Sequence, residues 1–374
     1  MIIKKYAKSE QLKAMRLLLN RLPSKHPFYP KLATEIQTTM AGDYGEEMVY
    51  RELERMRLPY NYFLLHKVML RTEKLFEIDF LLLTPFGAVI LEIKNIIGLL
   101  EFKVNPSQLI QTKDNGEIKK YPCPVNQLNE YSYLLSNFFT HHNLTIPVFG
   151  AIVFASKNSH VKTTNNDTTI LYKNEVYSFL RNLQNKSTIV PDSKLNQVKN
   201  LILKHNSPFE FFPLTKHYSI EVSDLISGVA CEGCGQVGMN KIKNIWYCTS
   251  CQYADKYASL KSLQHYFWLY DDILTNKACR KFLLLDSRYE VKRLLRKANL
   301  LKLGKYNYSV RSVNGSKYSE YVDGSVELVA KDIDSIQIGQ ERTQTGIGDP
   351  VSSETVPFGF SMNMSSAYSW VEIP

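Results

Sequence analysis

Two apolar segments joined by a short turn constrain this chain more than any other feature. Residues 75–83 and 88–94 are rich in Leu, Ile, Val and Phe, and Thr-Pro-Phe-Gly at 84–87 separates them. Apolar runs of this length between turn residues are typical of strands that are buried on both faces. The pattern therefore predicts two adjacent strands at the centre of a covered sheet.

Three charged side chains interrupt these apolar strands, namely Asp79, Glu92 and Lys94. A charge inside a buried strand is costly unless it is paired or holds a metal ion. Glu92 and Lys94 are two residues apart, so a strand points both to the same face. If the strands pair across the short turn, Asp79 lies beside them. Two carboxylates and a lysine form a site that can hold a hard divalent cation and activate a water molecule.

The order of these residues resembles the core motif of a nuclease superfamily. Asp79 followed by Glu92-Ile93-Lys94 is similar to the Asp…Glu-x-Lys motif of the PD-(D/E)XK nucleases. A longer pattern resembles the NERD (nuclease-related) domain, and it consists of Glu77-Ile78-Asp79, Thr84-Pro85-x-Gly87 and Glu92-x-Lys94-Asn95-x-x-Gly98. The resemblance covers about residues 40–155.

This resemblance implies a fold, a metal ion and a reaction. The fold is α/β and restriction-endonuclease-like, with a mixed sheet flanked by helices. The ion is Mg²⁺ or Mn²⁺, held by Asp79, Glu92 and the carbonyl group of Ile93. Lys94 assists the attacking water. The implied activity is that of a metal-dependent deoxyribonuclease.

The family pattern adds two candidate catalytic residues. Gly42-Asp43-Tyr44-Gly45-Glu46 matches a segment that supplies a glutamate to the active site, here Glu46. Pro124 and Gln127 match a Pro-x-x-Gln at a helix start, which would place Gln127 near the scissile phosphate. Without the family, Glu46 is interpreted as a solvated helix residue and Gln127 as an ordinary residue of a helix face. His66 is treated as an ordinary sheet residue.

The segments around the motif predict the remaining elements of an α/β domain. The two glycines at 42 and 45 suggest that the helix packs closely against a strand. Helices are expected at 33–57, 125–139 and 174–183, strands at 60–70, 96–103, 147–155 and 168–172, and a hairpin around 114–116.

Four of the six cysteines form two close pairs, and they are Cys231, Cys234, Cys248 and Cys251. Two Cys-x-x-Cys pairs separated by thirteen residues are typical of a zinc ribbon. Four thiolates leave no coordination position for a catalytic water, so the predicted zinc is structural. A redox role for either pair is the alternative. The cysteine usage indicates a reducing cytoplasm.

A basic helix after the cysteines suggests a second nucleic-acid-binding element. Thr275 can cap a helix that ends near Leu283, and Ser287 can cap another from Arg288 to about Ala298. With a hairpin at 300–312, this order resembles a winged helix-turn-helix. The predicted DNA-binding residues are Ser287, Arg288, Lys292, Arg293 and Arg296. The alternative is a small helical packing domain with a solvated basic face.

Composition limits the partners of the chain. A formal net charge of +10 in 374 residues fits a polyanionic partner, although a merely basic soluble protein is the alternative. No apolar run is long enough for a membrane span, and the N-terminus lacks the apolar core of a signal peptide. We therefore expect a cytoplasmic protein that acts on nucleic acid, DNA rather than RNA, with no membrane partner. A protein partner or a homo-oligomer stays open.

The predicted organisation has five segments. They are a helical lead-in at 1–32, the nuclease domain at 33–205, the zinc ribbon at 225–256, the helix-turn-helix region at 257–315 and an unassigned segment at 316–374. Two other functions compete with the nuclease. One is a non-catalytic DNA-binding regulator that uses the zinc ribbon and winged helix, and the other is a zinc-dependent protein-interaction module.

Overall fold

The computed structural model describes residues 1–309 except 163–166, 188–189, 207–211, 299 and 304–306. All described residues lie within one compact unit, Met1–Glu327. The unassigned segment at 316–374 and the end of the predicted hairpin, 310–312, lie outside the described residues.

The described chain alternates strands and helices. The strands are β1 (Ile2–Lys4), β2 (Phe63–Arg71), β3 (Leu75–Thr84), β4 (Gly87–Lys94), β5 (Gly98–Lys103), β6 (Gln108–Thr112), β7 (Ile118–Pro122), β8 (Val148–Phe154), β9 (Ser159–Lys162), β10 (Thr169–Tyr172), β11 (Asn240–Ile242), β12 (Ile245–Tyr247), β13 (Ala254–Asp255), β14 (Leu274–Thr275), β15 (Leu301–Leu303) and β16 (Asn307–Ser309). The helices are α1 (Glu10–Arg21), α2 (Tyr29–Arg55), α3 (Pro124–His141), α4 (Val176–Asn182), α5 (Asp192–His205), α6 (Leu214–Tyr218), α7 (Ala258–Leu269), α8 (Asn276–Leu283) and α9 (Arg288–Lys297).

A mixed six-stranded sheet forms the centre of the N-terminal half, in the order β1-β2-β3-β4-β8-β10. Strands β2, β3 and β4 are antiparallel, while β1, β8 and β10 run parallel to their neighbours. The predicted strand pair is confirmed, with Thr84 opposite Gly87 at the turn. The mixed α/β class is confirmed as well.

Helices cover both faces of this sheet. One hydrophobic cluster joins the sheet to α3 and α5, and it includes Leu81 and Leu83. The other joins it to the second half of α2 and to α4, and it includes Phe80 and Leu82. Alternate residues of β3 thus enter opposite clusters, as the pleat of a strand requires. Every residue of β4 except Lys94 is buried.

A second sheet, in the order β7-β6-β5-β9, begins four residues after β4. Its β6–β7 hairpin turns at the predicted position around Asn115. The chain therefore leaves the motif strand directly into this second sheet.

The first helix belongs to a third core together with distant parts of the chain. Met15 and Leu18 of α1 share a cluster with Trp246, Phe267 and many residues of α7 to α9. The sequence predicted only a helical lead-in at 1–32, whereas its first residues form β1 and its helix is part of this core. The sequence did not predict the position of α1 in this core, because apolar spacing shows that a helix has a buried face but not which segment packs against that face.

Arg21 anchors α1 in this third core. Its guanidinium is fully buried, donates to the backbone carbonyls of Ile226 at 2.8 Å and Gly228 at 3.1 Å, and lies 4.5 Å from the ring centre of Phe282. Carbonyl groups and an aromatic face both stabilise a buried guanidinium, so these contacts fix α1 against the segment before the cysteines.

The helices after the cysteines begin where the sequence predicted. Thr275 Oγ1 accepts a hydrogen bond from the Ala278 amide at 3.1 Å, and Ser287 Oγ accepts one from the Glu290 amide at 3.2 Å. Strands β15 and β16 form a hairpin, and β14 pairs with β16. The winged-helix interpretation stays a prediction. Within the described residues, no helix combines the length and apolar character that a membrane span requires.

Candidate active site

The strands of the motif separate where the charges lie. Strands β3 and β4 pair from the turn as far as Phe80 and Leu91, and the next position would place Asp79 opposite Glu92. There Asp79 Oδ2 instead accepts a hydrogen bond from the Ile93 amide at 2.7 Å. Since the amide and carbonyl of one strand residue point to the same side, the Ile93 carbonyl also faces β3. The Asp79 carboxylate thus replaces a backbone contact between the strands.

Strand β3 also changes face at Asp79. Phe80 and Leu82 belong to the cluster under α2, whereas Phe76 and Ile78 belong to the cluster under α3. All four are an even number of residues apart, so a regular strand would point them to one face. The alternation of side chains along β3 is therefore interrupted at Asp79, and this residue lies outside the regular pleat.

Lys94 joins the other predicted residues of the site. Its Nζ atom donates to Glu92 Oε1 at 2.6 Å and to Gln127 Oε1 at 3.0 Å. Gln127 lies in the first turn of α3, and its Nε2 atom lies 3.3 Å from the Tyr131 hydroxyl. The structure therefore brings Asp79, Glu92, Lys94 and Gln127 into one cluster.

The cluster contains more carboxylates than positively charged groups. Burial and the neighbouring Asp79 raise the pKa of Glu92 to about 8, and burial and Glu46 raise the pKa of Asp79 to about 7. Glu92 is 1% exposed, and its Oε2 atom is buried with no hydrogen-bond partner among the described residues. Two adjacent carboxylates with an unsatisfied oxygen fit a divalent cation, which prefers oxygen ligands.

Glu46 lies beside this cluster because α2 packs closely against the end of β4. A Cβ atom on Gly45 would lie 2.6 Å from the Asn95 Cβ atom, whereas one on Gly42 would meet nothing within 4 Å. The sequence interpreted both glycines as contact residues, and only Gly45 is one. The Asn95 side chain also donates to the Ala41 carbonyl at 2.8 Å.

Two residues that the sequence analysis missed hold the Glu46 carboxylate. Glu46 Oε2 lies 2.7 Å from His66 Nε2 and 3.4 Å from Lys67 Nζ, and Lys67 also contacts Asp43 at 3.1 Å. Burial raises the pKa of Glu46 to about 7 and lowers the pKa of His66 to about 3. The sequence interpreted His66 as an ordinary sheet residue, and the structure places its ring in contact with Glu46. The sequence signal for His66 and Lys67 was a polar pair within an apolar segment.

The four predicted cysteines meet at one point. Their sulfur atoms all lie within 4.8 Å of one another, with 3.6 Å between Cys231 and Cys251 and 3.5 Å between Cys234 and Cys248. Four thiolates at Zn–S distances of about 2.3 Å lie about 3.8 Å apart in a tetrahedron, so this cluster could hold zinc. The turn after the first pair needs Gly235, whose φ of 77° is left-handed.

The predicted DNA-binding side chains lie on an exposed helix surface. Val291 and Leu295 are the buried residues of α9. The exposed basic residues are Arg288, Lys292, Arg293, Arg296 and Lys297. Tyr289 is 78% exposed on the same helix, and Ser287 serves as its cap. The helix therefore has a basic face with one exposed aromatic ring.

Part of the sequence is similar to one class of protein, the nuclease-related proteins. The family model for NERD, the nuclease-related domain, matches residues 41–155. The matched region is less than half of the chain, and it contains Glu46, Asp79, Glu92, Lys94 and Gln127. Comparisons with curated proteins and with solved structures found no match. The match supports a nuclease-related function for this region, and with it binding of nucleic acid in general.

Proposed function

We propose that the region from 33 to 205 is a divalent-metal-dependent nuclease that hydrolyses phosphodiester bonds of DNA. One observation carries the proposal: buried Glu92 and half-buried Asp79 lie beside Lys94, and Glu92 Oε2 has no hydrogen-bond partner among the described residues. An unsatisfied buried carboxylate is costly, so its presence argues for a function that uses it. The NERD match supports the same class of reaction.

Asp79 and Glu92 would hold Mg²⁺ or Mn²⁺, with the Ile93 carbonyl as a further ligand. The Ile93 carbonyl faces β3, where Asp79 contacts the amide of the same residue. When bound, the ion supplies positive charge to the phosphate oxygens and lowers the pKa of a bound water. Mg²⁺ and Mn²⁺ both suit carboxylate and carbonyl oxygens.

Lys94 would orient the attacking water and stabilise charge on the phosphate. An ammonium group has three hydrogen-bond donors, and Glu92 and Gln127 occupy two of them. The third remains for the water or a phosphate oxygen. Gln127 would fix Lys94 in this orientation, and such fixed donors stabilise developing charge because they need not reorganise during reaction.

The cysteine cluster would hold a structural zinc ion. All four ligands are thiolates, so the metal would have no open position for a catalytic water. Cys231 and Cys248 are buried in the third core. The metal would therefore supply folding energy to a segment with few apolar residues of its own.

The basic face of α9 would hold the DNA backbone. Its exposed arginines and lysines are of the type that neutralises phosphates, and such binding weakens steeply with salt. Nothing in the site itself separates DNA from RNA, and the resemblance to the PD-(D/E)XK nucleases is the reason for proposing DNA. The net charge of +10 fits either nucleic acid.

A cleavage assay tests the proposal. The wild type is incubated with supercoiled plasmid and with linear single-stranded DNA, in Mg²⁺, Mn²⁺ or chelator. We expect metal-dependent cutting by the wild type and a loss of at least about 100-fold for Asp79→Ala and Lys94→Ala. Asp114→Ala, which removes an exposed carboxylate from the hairpin turn, is the matched control and should cut normally.

Binding measurements on the same variants separate the nuclease from the regulator. An inactive Asp79→Ala variant that still binds DNA supports the enzyme. A wild type that binds DNA and cuts no substrate with either metal favours the regulator, for which the exposed basic face of α9 is the supporting observation.

A further inference from the structure

Lys67 interrupts β2 directly opposite Asp79. The register pairs on either side are His66↔Phe80 and Val68↔Ile78. Lys67 has a φ of 46°, a left-handed conformation that a non-glycine residue rarely adopts within a strand. In a regular strand, consecutive side chains point to opposite faces. Here His66 and Lys67 reach the same atom, Glu46 Oε2, at 2.7 and 3.4 Å.

The carboxylates on this side of the site are already satisfied by protein donors. Asp43 Oδ1 accepts from Lys67 Nζ at 3.1 Å, and Asp43 Oδ2 accepts from the Ser9 amide at 3.1 Å. Glu46 Oε2 contacts both His66 and Lys67. Binding a metal ion here would require these donors to be displaced, and Lys67 would have to leave its two carboxylate partners.

The side of the site that contains Asp79 and Glu92 includes a carboxylate oxygen that receives no hydrogen bond from the residues that the structure describes. Glu92 Oε2 has no hydrogen-bond partner among the described residues, although it is buried. Among those residues, only the four cysteines form a set of three or more ligand atoms within 4.8 Å of one another, so Glu46, Asp79 and Glu92 do not. The oxygen without a partner thus belongs to Glu92, which contacts Lys94 through its other oxygen, and not to Asp43 or to Glu46 Oε2.

We infer that Lys67 is a resident cation in the place of a second metal ion, so that the site takes one divalent cation, at Asp79 and Glu92. Glu46 is then a positioning residue that holds Lys67 and His66 beside Asp79, and not a metal ligand. The inference rests on the proposed function and specifies its metal content. An ammonium group is a compact positive charge, so it can neutralise carboxylates as a second cation would.

A Mn²⁺ titration of the full-length, zinc-loaded protein tests the stoichiometry, with free Mn²⁺ followed by electron paramagnetic resonance. We expect one Mn²⁺ per wild-type chain. Glu46→Gln should keep that ion with no more than about a threefold loss of affinity, the effect of one screened charge. Asp79→Asn should lose at least about 100-fold, because it removes a charged ligand.

A substitution of the lysine provides the positive test. Lys67→Met keeps an unbranched side chain, one atom shorter, and removes its charge, so the Asp43–Glu46 pair should take up a second Mn²⁺. Lys74→Met is the control, since it removes an exposed lysine paired with Glu130 on the surface, and it should bind one ion. If Lys67→Met does not fold, the titrations of the wild type and of Glu46→Gln decide whether the site binds one ion.

The outcomes separate this inference from the proposed function. Two ions in the wild type, a Glu46→Gln loss as large as that of Asp79→Asn, or one ion in a folded Lys67→Met would overturn the one-metal site and leave the nuclease proposal standing. No Mn²⁺ binding by the wild type would overturn both.

Discussion

At the scale of single residues, Glu92 lies in an environment that costs stability. Its carboxylate is buried next to half-buried Asp79 and one lysine, and one of its oxygens has no partner among the described residues. Two carboxylates and one ammonium group leave an excess negative charge, which burial makes unfavourable. The excess negative charge of the cluster is therefore neutralised when a further cation binds.

Glu92→Gln should accordingly stabilise the metal-free protein. The substitution keeps the shape and leaves Asp79 and Lys94 as a balanced pair, so the free energy of unfolding without added Mg²⁺ or Mn²⁺ should rise by about 1 kcal/mol. Thermal unfolding of the zinc-loaded protein without these ions measures this rise. Glu130→Gln, at an exposed ion pair, is the control and should change little. A melting temperature below that of the wild type would contradict the charge imbalance.

His265 gives a pH dependence to the stability of the third core. It is buried in α7, Nδ1 has no partner among the described residues, and burial together with Arg21 lowers its pKa to about 3. The unfolded chain binds a proton near pH 6.5, and the folded chain does so only near pH 3. The stabilisation is therefore complete above pH 6.5 and is lost as pH falls through that interval.

His265→Gln should flatten this dependence. Between pH 7 and 5 the wild type should lose up to about 2 kcal/mol more of its unfolding free energy than the variant does. Urea unfolding at the two pH values measures the difference. His160→Gln, at an exposed position, should keep the wild-type dependence. If the unfolding free energies of the wild type and of His265→Gln fall equally between pH 7 and 5, a group other than His265 causes the pH dependence.

At the scale of elements, the placement of Glu46 depends on the contact between α2 and the end of β4. Gly45 allows this contact because a Cβ atom there would lie 2.6 Å from the Asn95 Cβ atom. Gly42, one turn earlier in the same helix, has open space. The two glycines therefore form a matched pair for testing whether the contact positions the glutamate.

Gly45→Ala should destabilise the protein by about 1–3 kcal/mol and reduce cutting, because α2 must move away from Asn95. Gly42→Ala should stabilise it by about 0.5–1 kcal/mol, since alanine favours a helix. Thermal unfolding and the plasmid assay measure both effects. Similar effects of the two substitutions would show that the close contact does not control the site.

At the scale of the whole molecule, the cysteine cluster and the first helix share one core. Cys231, Cys248 and Trp246 pack in the same cluster as Met15 and Leu18 of α1. The central sheet is covered by two other clusters. Disruption of the cysteine cluster should therefore destabilise α1 more strongly than the sheet, although the sheet is closer in sequence to α1.

Cys248→Ser should reduce amide protection against hydrogen exchange in α1 and α7 together, by at least about tenfold, and leave β2 to β4 protected. Mass spectrometry of peptides from each element measures this. Cys123→Ser, at a buried cysteine of the sheet core, is the control and should not affect α1 preferentially. Unchanged protection of α1 in Cys248→Ser would contradict the shared core.

The sequence located the strands, the helix caps and most of the candidate site. Asp79 and Glu92 could be paired in advance because a short turn fixes the register of a hairpin. The inclusion of Gln127 among the candidate site residues followed from family resemblance, whereas its contact with Lys94, 33 residues away, is seen only in the structure. The contacts of His66 and Lys67 with Glu46 were not predicted, because the left-handed backbone at Lys67 leaves no pattern in the sequence.

The sequence by itself determined the local structure: the apolar strands, the capped helices and the two cysteine pairs all depend on neighbours along the chain. The tertiary structure alone decided that α1 lies in the core of the cysteine region and that Asp43, Glu46, His66 and Lys67 meet beside Asp79. Apolar and charged patterns in the sequence indicate that a side chain is buried or paired. The choice of partner depends on packing between distant segments, which hydrophobic attraction, being non-directional, does not specify.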